Sequence, residues 1–285
     1  MDGIIIKNVA GSCTVLTEGG TYVCKPLGIF RKKKIIPLVG DYVVISTENK
    51  TVNTIKPRKN ELRRPPVANI DQVIITVATS QPAFNAGLLD RFLVSAEYSS
   101  IQPVICVNKI DMDFDKTLFL PYNNAGYTMV YASAFEKQGL DDLRKVMAGK
   151  VNVFAGPSGV GKSSLINALF PVLNLETGDL STKLGRGKHT TRHSEIFPLR
   201  QALSDGSCVD TPGFTSLDTA NIPKSEIAGL FKEFNEFAQK CKFKNCLHNR
   251  EVSCGVKDAV GNGISSVRYD SYLKILLNED NGRGA

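Results

Sequence analysis

No apolar run in this 285-residue chain approaches the ~20 residues that cross a bilayer, so no membrane contact is expected. The opening Met1-Asp2-Gly3-Ile4-Ile5-Ile6-Lys7 lacks the basic start and long apolar stretch of a secretory leader, and a cytoplasmic protein is expected. A paired cysteine set is also missing. The seven cysteines are odd in number and three crowd near one histidine, which points to metal binding plus buried thiols rather than a disulfide framework. Beyond residue 65 the chain has no net charge. Residues 1–65 hold 12 Lys and Arg against 5 Asp and Glu, and the remaining 220 hold 23 of each, so the whole +7 sits in the first quarter. That asymmetry implies an acidic partner, nucleic acid first, with a solubilising surface as the plainer explanation. A content of 42% hydrophobic and 22% charged residues is ordinary for a globular chain, and the length suits two or three domains.

Most of what is present is organised around Gly156-Pro157-Ser158-Gly159-Val160-Gly161-Lys162-Ser163, a G-x-x-x-x-G-K-S phosphate loop followed by Ser164. Strand-like Val151-Asn152-Val153-Phe154-Ala155 precedes it and helix-like Ser164–Leu169 follows, the context this motif requires. Backbone N–H groups freed by the glycines would curl around phosphate oxygens at the positive end of the helix. Lys162 would reach the β- and γ-phosphates of a nucleotide, and the Ser163 hydroxyl would ligate Mg²⁺.

A second motif, Asn108-Lys109-Ile110-Asp111, ends the strand 102–107 and reads N-K-x-D. Guanine presents two adjacent donors, N1–H and its exocyclic amine, and the Asp111 carboxylate can accept both; adenine offers it an acceptor instead. Asn108 would bind the base edge and brace the loop, and the Lys109 stem would lie over the ring. The strand 128–131 runs into Ala132-Ser133-Ala134, whose backbone around Ser133 and Ala134 would meet the guanine oxygen. Asp210-Thr211-Pro212-Gly213 reads D-x-x-G, with Asp210 expected on Mg²⁺ through water and the Gly213 N–H at the γ-phosphate. Between them, the polar stretch 177–194 reads as a switch loop whose Thr191 or Thr190 would close on Mg²⁺. The order is unusual: the base motifs precede the phosphate motifs. This is a circular permutation, tolerable because a doubly wound sheet presents its binding loops at the strand C-terminal ends wherever the chain is cut.

The flanks differ in kind. Residues 1–65 read as about five short strands (13–17, 21–24, 35–36, 41–45 and 51–55) without a helix, an OB-like basic β-barrel with Arg31-Lys32-Lys33-Lys34 on a loop. Tyr22, Phe30 and Tyr42 are stacking faces or core. After Pro65-Pro66, strands and helices alternate through residues 66–222 as in an α/β domain. Residues 223–285 read as a helical domain: a helix carrying Ile227, Leu230, Phe231, Phe234 and Phe237, then Cys241-x4-Cys246-x-His248-x5-Cys254, then a helix over 264–277. Three thiolates and an imidazole fill a tetrahedral Zn²⁺ shell with no open position, so one structural zinc is expected.

A basic OB-like barrel, a permuted GTPase with G-P-S-G-V-G-K-S and D-T-P-G, and a C-x4-C-x-H-x5-C knuckle together resemble the RsgA (YjeQ/YloQ) family of circularly permuted GTPases. The resemblance covers nearly the whole chain. It implies a bacterial cytoplasmic GTPase, expected as a monomer, that binds the 30S ribosomal subunit and its 16S rRNA late in assembly and hydrolyses GTP slowly until the particle accelerates it. In many signalling GTPases a glutamine after D-x-x-G orients the attacking water; here Phe214 stands there. His189, which matches the histidine of the family's switch-loop H-T-T, is the expected replacement, with a phosphate or RNA contact as its other reading. Two further readings compete with the enzyme: an RNA-docking module whose bound GTP sets affinity, and a metabolic P-loop kinase, which N-K-x-D disfavours.

Overall fold

A computed structural model describes residues 1–63, 66–170, 195–198, 206–210, 219 and 221–278. Five strands form the N-terminal barrel: β1 Asp2–Val9, β2 Ser12–Thr17, β3 Gly20–Pro26, β4 Tyr42–Ser46 and β5 Thr51–Ile55. Their order is β1-β2-β3-β5-β4, closed by β1–β4 pairing, with β3 and β5 parallel. The expected OB-like barrel is present. Its core takes alternate residues, Ile5, Cys13, Val15, Cys24, Val43, Ile45 and Val52. Cys13 and Cys24 face each other across the β2–β3 ladder as buried free thiols, and burial pushes Cys13 up to about 11.

Three local expectations need correction. Residues 28–32 form a short helix, α1 (Gly28–Lys32), which takes in Arg31 and Lys32; its Phe30 is buried in the barrel core, a tertiary demand with no local periodicity to announce it. Ile35 and Ile36 are not in a strand and both are exposed. The fifth strand is instead β1. Its run Ile4-Ile5-Ile6 does not alternate because both faces are covered: Ile5 enters the barrel core, while Ile4 and Ile6 pack against the core of the next domain.

That domain is the expected α/β layer structure. Its sheet runs β10-β9-β8-β11-β13-β12, from β8 (Gln72–Val77), β9 (Gln102–Val107), β10 (Thr128–Tyr131), β11 (Val151–Ala155), β12 (Glu195–Pro198) and β13 (Ser207–Asp210). All neighbours are parallel except β12–β13. A hairpin of β6 (Glu61–Arg63) and β7 (Pro66–Ala68) leads into it. Helix α2 (Ala86–Tyr98), capped by the Asn85 side chain accepting from Leu88 N–H, buries Leu89, Phe92 and Leu93 on one face of the sheet. The short α3 (Leu120–Asn124) follows β9. Helices α4 (Leu140–Met147) and α5 (Lys162–Leu169) bury Leu143, Met147, Leu165 and Leu169 on the other. The chain winds from β8 outward through β9 to β10, then returns to β11 on the opposite side of β8. This reversal opens a crevice at the strand C-terminal ends, where such folds bind ligands.

The C-terminal domain contains α6 (Lys224–Ile227), α7 (Phe234–Ala238), α8 (Gly255–Asp258) and α9 (Ser266–Leu277). The single helix expected from residue 223 is broken: a 3-10 turn at Ala228–Leu230 contains Gly229, and Phe231 turns extended. The apolar stripe still does its work, since Ile227, Phe231 and Phe234 are buried. Helix α9 packs on α2 through Arg268, whose side chain is 1% exposed. Its guanidinium donates to both Glu233 oxygens at 2.7 and 3.0 Å and to buried Asp90, and stacks on Phe231, Tyr122 and Tyr127. Burial pushes the Asp90 carboxyl up from its ordinary value, and Arg268 opposes that shift. Among the described residues no helix is long and apolar enough to cross a membrane.

Arg268→Ala strands two carboxylates in an apolar setting. We expect it to lower unfolding free energy by about 3–5 kcal/mol in urea titrations followed by circular dichroism. The deficit should shrink as pH falls from 8 to 5, because burial already holds the Asp90 carboxyl above its ordinary value, Arg268 no longer opposes it, and protonation relieves the cost of burying the charge.

Candidate functional site

The crevice brings three loops together. The phosphate loop follows β11, and its backbone needs its glycines. Gly156 has φ +137°, and a Cβ there would sit 2.2 Å from the Thr76 carbonyl oxygen of β8. Gly161, at φ +91°, caps α5; a Cβ would meet the Asn108 amide nitrogen at 2.4 Å. Val160 is buried, Ser158 and Gly159 are exposed, and Ser163 and Ser164 are half-buried at the start of α5. Lys162 folds back over the loop, donating to the Gly156 and Pro157 carbonyls at 2.7 Å each. Burial without a carboxylate lowers its ammonium to about 8.

The N-K-x-D loop follows β9. Asn108 is 2% exposed and its side chain spans two other loops: Nδ2 donates to the Val160 carbonyl at 2.9 Å, and Oδ1 accepts the Ala134 N–H at 3.1 Å. Lys109, in left-handed backbone at φ 63°, donates from Nζ to the carbonyls of Gly159 (2.7 Å) and Gln81 (2.5 Å). Its stem therefore bridges from the base loop to the phosphate loop. Asp111 is exposed. Ser133 is fully buried, and its Oγ accepts the Glu136 N–H at 2.9 Å. The structure thus brings Asn108, Lys109, Ser133, Ala134 and the loop Gly156–Ser164 to one crevice, although Asn108 is 26 residues from Ala134 and 52 from Val160 in sequence. The Gln81 carbonyl joined this set without sequence warning, because a main-chain acceptor has no residue signature. His189, Thr190, Thr191 and Gly213, and the side chain of Asp210, lie outside the described residues; the backbone of Asp210 ends β13 beside β11.

The second cluster is in the C-terminal domain. One ligand atom each from Cys241, Cys246, His248 and Cys254 lie within 4.8 Å of one another. A zinc tetrahedron has edges of roughly 3.8 Å between sulfurs and 3.5 Å between sulfur and nitrogen. The Cys241–Cys254 sulfurs are 3.8 Å apart, and His248 Nδ1 stands 3.5 and 3.3 Å from them. The donor set and its spacing fit Zn²⁺. Burial lowers the His248 imidazole, which favours the neutral form that a metal ligand needs, and burial with neighbouring thiols pushes Cys246 up to about 12. The loop is fixed from behind: Glu251 accepts from Leu247 and Asn249 N–H, and the Tyr269 and Tyr272 hydroxyls donate to the His248 and Leu247 carbonyls. Lys240, Lys242, Lys244 and Arg250 are exposed around it.

The basic barrel reads differently in three dimensions. Lys56, Arg58 and Lys59 are paired with Asp2, with Asp41 and Glu61, and with Asp71. Arg31, Lys32, Lys33 and Lys34 are exposed. Phe30 is core, Tyr22 half-buried and Tyr42 exposed.

Comparison with known proteins adds to this geometry. Residues 55–220 match the model of the RsgA GTPase family, and residues 2–55 that of the RsgA N-terminal domain. A relative from Caldanaerobacter subterraneus, named small ribosomal subunit biogenesis GTPase RsgA, is 46% identical over 283 residues, covering 97% of this chain and 95% of its own. One of the same name from Clostridium novyi is 44% identical, covering 97% and 96%. Among solved structures, YloQ, described as a circularly permuted GTPase, superposes with a TM-score of 0.81 at 38% identity over 100% of this chain and 96% of that one. YjeQ from Thermotoga maritima gives 0.82 at 33%, covering 99% of each.

Two outcomes are expected. A polyphosphate beside Lys162 favours its charged form, so the bound pKa exceeds the free value of about 8. Nucleoside diphosphate binding should therefore take up protons near pH 8.5 and weaken by up to about tenfold per pH unit above 8; calorimetry in two buffers of different ionisation enthalpy checks this. One Zn²⁺ per chain should be found by elemental analysis, with Cys254→Ser or chelation removing it and melting residues 241–254, read as lost amide protection.

Proposed function

This chain belongs to the RsgA GTPase family, and from that premise we propose that it is a GTP hydrolase of late small-subunit maturation. In this reading it acts as a cytoplasmic monomer that docks on the 30S particle and its 16S rRNA, and leaves when GTP is hydrolysed. The observation that supports it most is the Asn108 side chain, which joins base loop, phosphate loop and the Ser133 turn in one crevice. Asp111 would accept from guanine N1–H and the exocyclic amine, rejecting adenine because an acceptor would face a carboxylate. The Lys109 stem would cover the ring. Ala134 N–H, already turned toward Asn108, would be shared with the guanine oxygen. Lys162 would exchange its loop carbonyls for phosphate oxygens, an attraction strengthened by its desolvated setting. Ser163 and Thr191, or Thr190, would hold Mg²⁺, with Asp210 behind a water and Gly213 at the γ-phosphate. His189 would orient the attacking water in place of the missing glutamine. Division of the chain at 65 and 222 assigns docking to the exposed basic run Arg31–Lys34 and to the lysines about the zinc loop.

The test is GTP hydrolysis with and without purified 30S subunits at matched salt, with ATP as control, since a basic surface loses RNA affinity steeply with ionic strength. We expect slow turnover alone and stimulation specific to GTP and to the small subunit. His189→Ala should still bind the particle but remain on it with GTP, with turnover lower by about 10²-fold or more, the range for losing a positioned acid–base group. Normal release by this variant would favour a docking module with incidental hydrolysis.

A further inference from the structure

We propose that the Phe135 ring forms the outer wall of the base pocket and stacks on the bound guanine, a role that rests on the guanine-nucleotide reading of this crevice. Phe135 is 83% exposed, the highest value among the exposed large hydrophobic side chains of the described residues. Its exposure is enforced by the backbone. The segment Ser133–Gln138 is a closed turn in which Ser133 N–H donates to the Gln138 carbonyl at 3.0 Å and Gln138 N–H returns to the Ser133 carbonyl at 3.1 Å. The Ser133 hydroxyl takes the Glu136 N–H inside that turn, and Ala134 N–H is pinned to Asn108. These bonds hold the backbone on either side of Phe135, whose side chain stands in solvent.

The turn's position gives the ring something to cover. It follows β10, the outermost strand of the α/β sheet, next to β9, whose end carries Asn108 to Asp111. On the opposite side of that loop, Lys109 is tied toward β11 and β8 by its bonds to Gly159 and Gln81. A base held between Asp111 and the Ser133 turn would thus be flanked by the Lys109 stem from the phosphate-loop side, which leaves its β10 side to the turn itself. Phe135 is an exposed apolar side chain of that turn, one residue from the N–H assigned to the guanine oxygen. An aromatic face stacks on a purine without regard to its hydrogen-bond pattern, so the ring would set affinity and residence time, while Asp111 sets the choice of base.

The experiment is competition binding on the full chain with GDP, GTP, ATP and inorganic tripolyphosphate. Truncation to Phe135→Ala should weaken GDP and GTP by about 5- to 150-fold, the span measured for losing one base–aromatic stack. Tripolyphosphate, which has no base, should bind as before. Phe135→Tyr should stay within about twofold of the parent, because the ring face is kept. The guanine H8 resonance of bound GDP should lie upfield in the parent and in the Tyr variant, and lose that ring-current shift in Phe135→Leu. Unchanged GDP affinity in Phe135→Ala overturns the proposal, and if 30S stimulation alone is lost the ring belongs to the particle instead. A parent chain that prefers neither GDP nor GTP over ATP overturns the guanine reading, and the role of Phe135 with it.

Discussion

One buried amide holds the crevice together. Asn108 gives its NH₂ to the phosphate loop at Val160 and its oxygen to the Ser133 turn at Ala134, so neither loop can shift without leaving a polar group unpaired away from water, a cost of about 1–3 kcal/mol. The contact also explains why the glycine at 161 is needed: the Asn108 amide occupies the space a Cβ would take. Permutation has little effect on such a site. The bond is made across the C-terminal ends of β9, β10 and β11, and the sheet brings those ends together whichever half of the chain is made first.

Much of this was legible in the sequence because the motifs state their chemistry directly. A glycine loop between strand and helix, a carboxylate at the end of N-K-x-D, and a spacing of cysteines around one histidine each imply a partner by residue type alone. Strands β8, β9, β10 and β11 were legible as apolar runs with turn punctuation. What escaped depends on tertiary context. Strand β1 lacks alternation because Ile4 and Ile6 face one core and Ile5 another. Helix α1 is one turn held by Phe30. Nothing in the sequence singles out Arg268 within its closing helix, and only the fold shows that Asp90, 178 positions earlier, waits for it.

That arginine links the C-terminal domain to the α/β layer by a device different from apolar packing. Three aromatic rings surround the guanidinium and two carboxylates satisfy it. Apolar faces of α2 and α9 could slide past one another at small cost, whereas a bidentate pair with Glu233 has one register. Asp90 lies on the helix that follows the Gln81 segment braced by Lys109, so the zinc-bearing domain and the base loop share a rigid neighbour.

The first strand has a consequence for the molecule as a whole. Strand β1 is longer than the barrel needs. Its first half closes the barrel against β4 at Asp2 to Ile4, and further along it meets β12 at Lys7–Glu195, with an ion pair at the same register. A closed barrel has no free border except where one strand outruns its partner, and a doubly wound sheet has two. Here the overhang of one body covers the open border of the other, so each removes a surface on which a foreign strand could grow. Cut apart between them, the barrel would keep its core around Ile5, the α/β layer would lose the cover of Ile4 and Ile6, and each would carry a new adhesive edge. The two domains protect one another from aggregation by the same hydrogen bonds that join them.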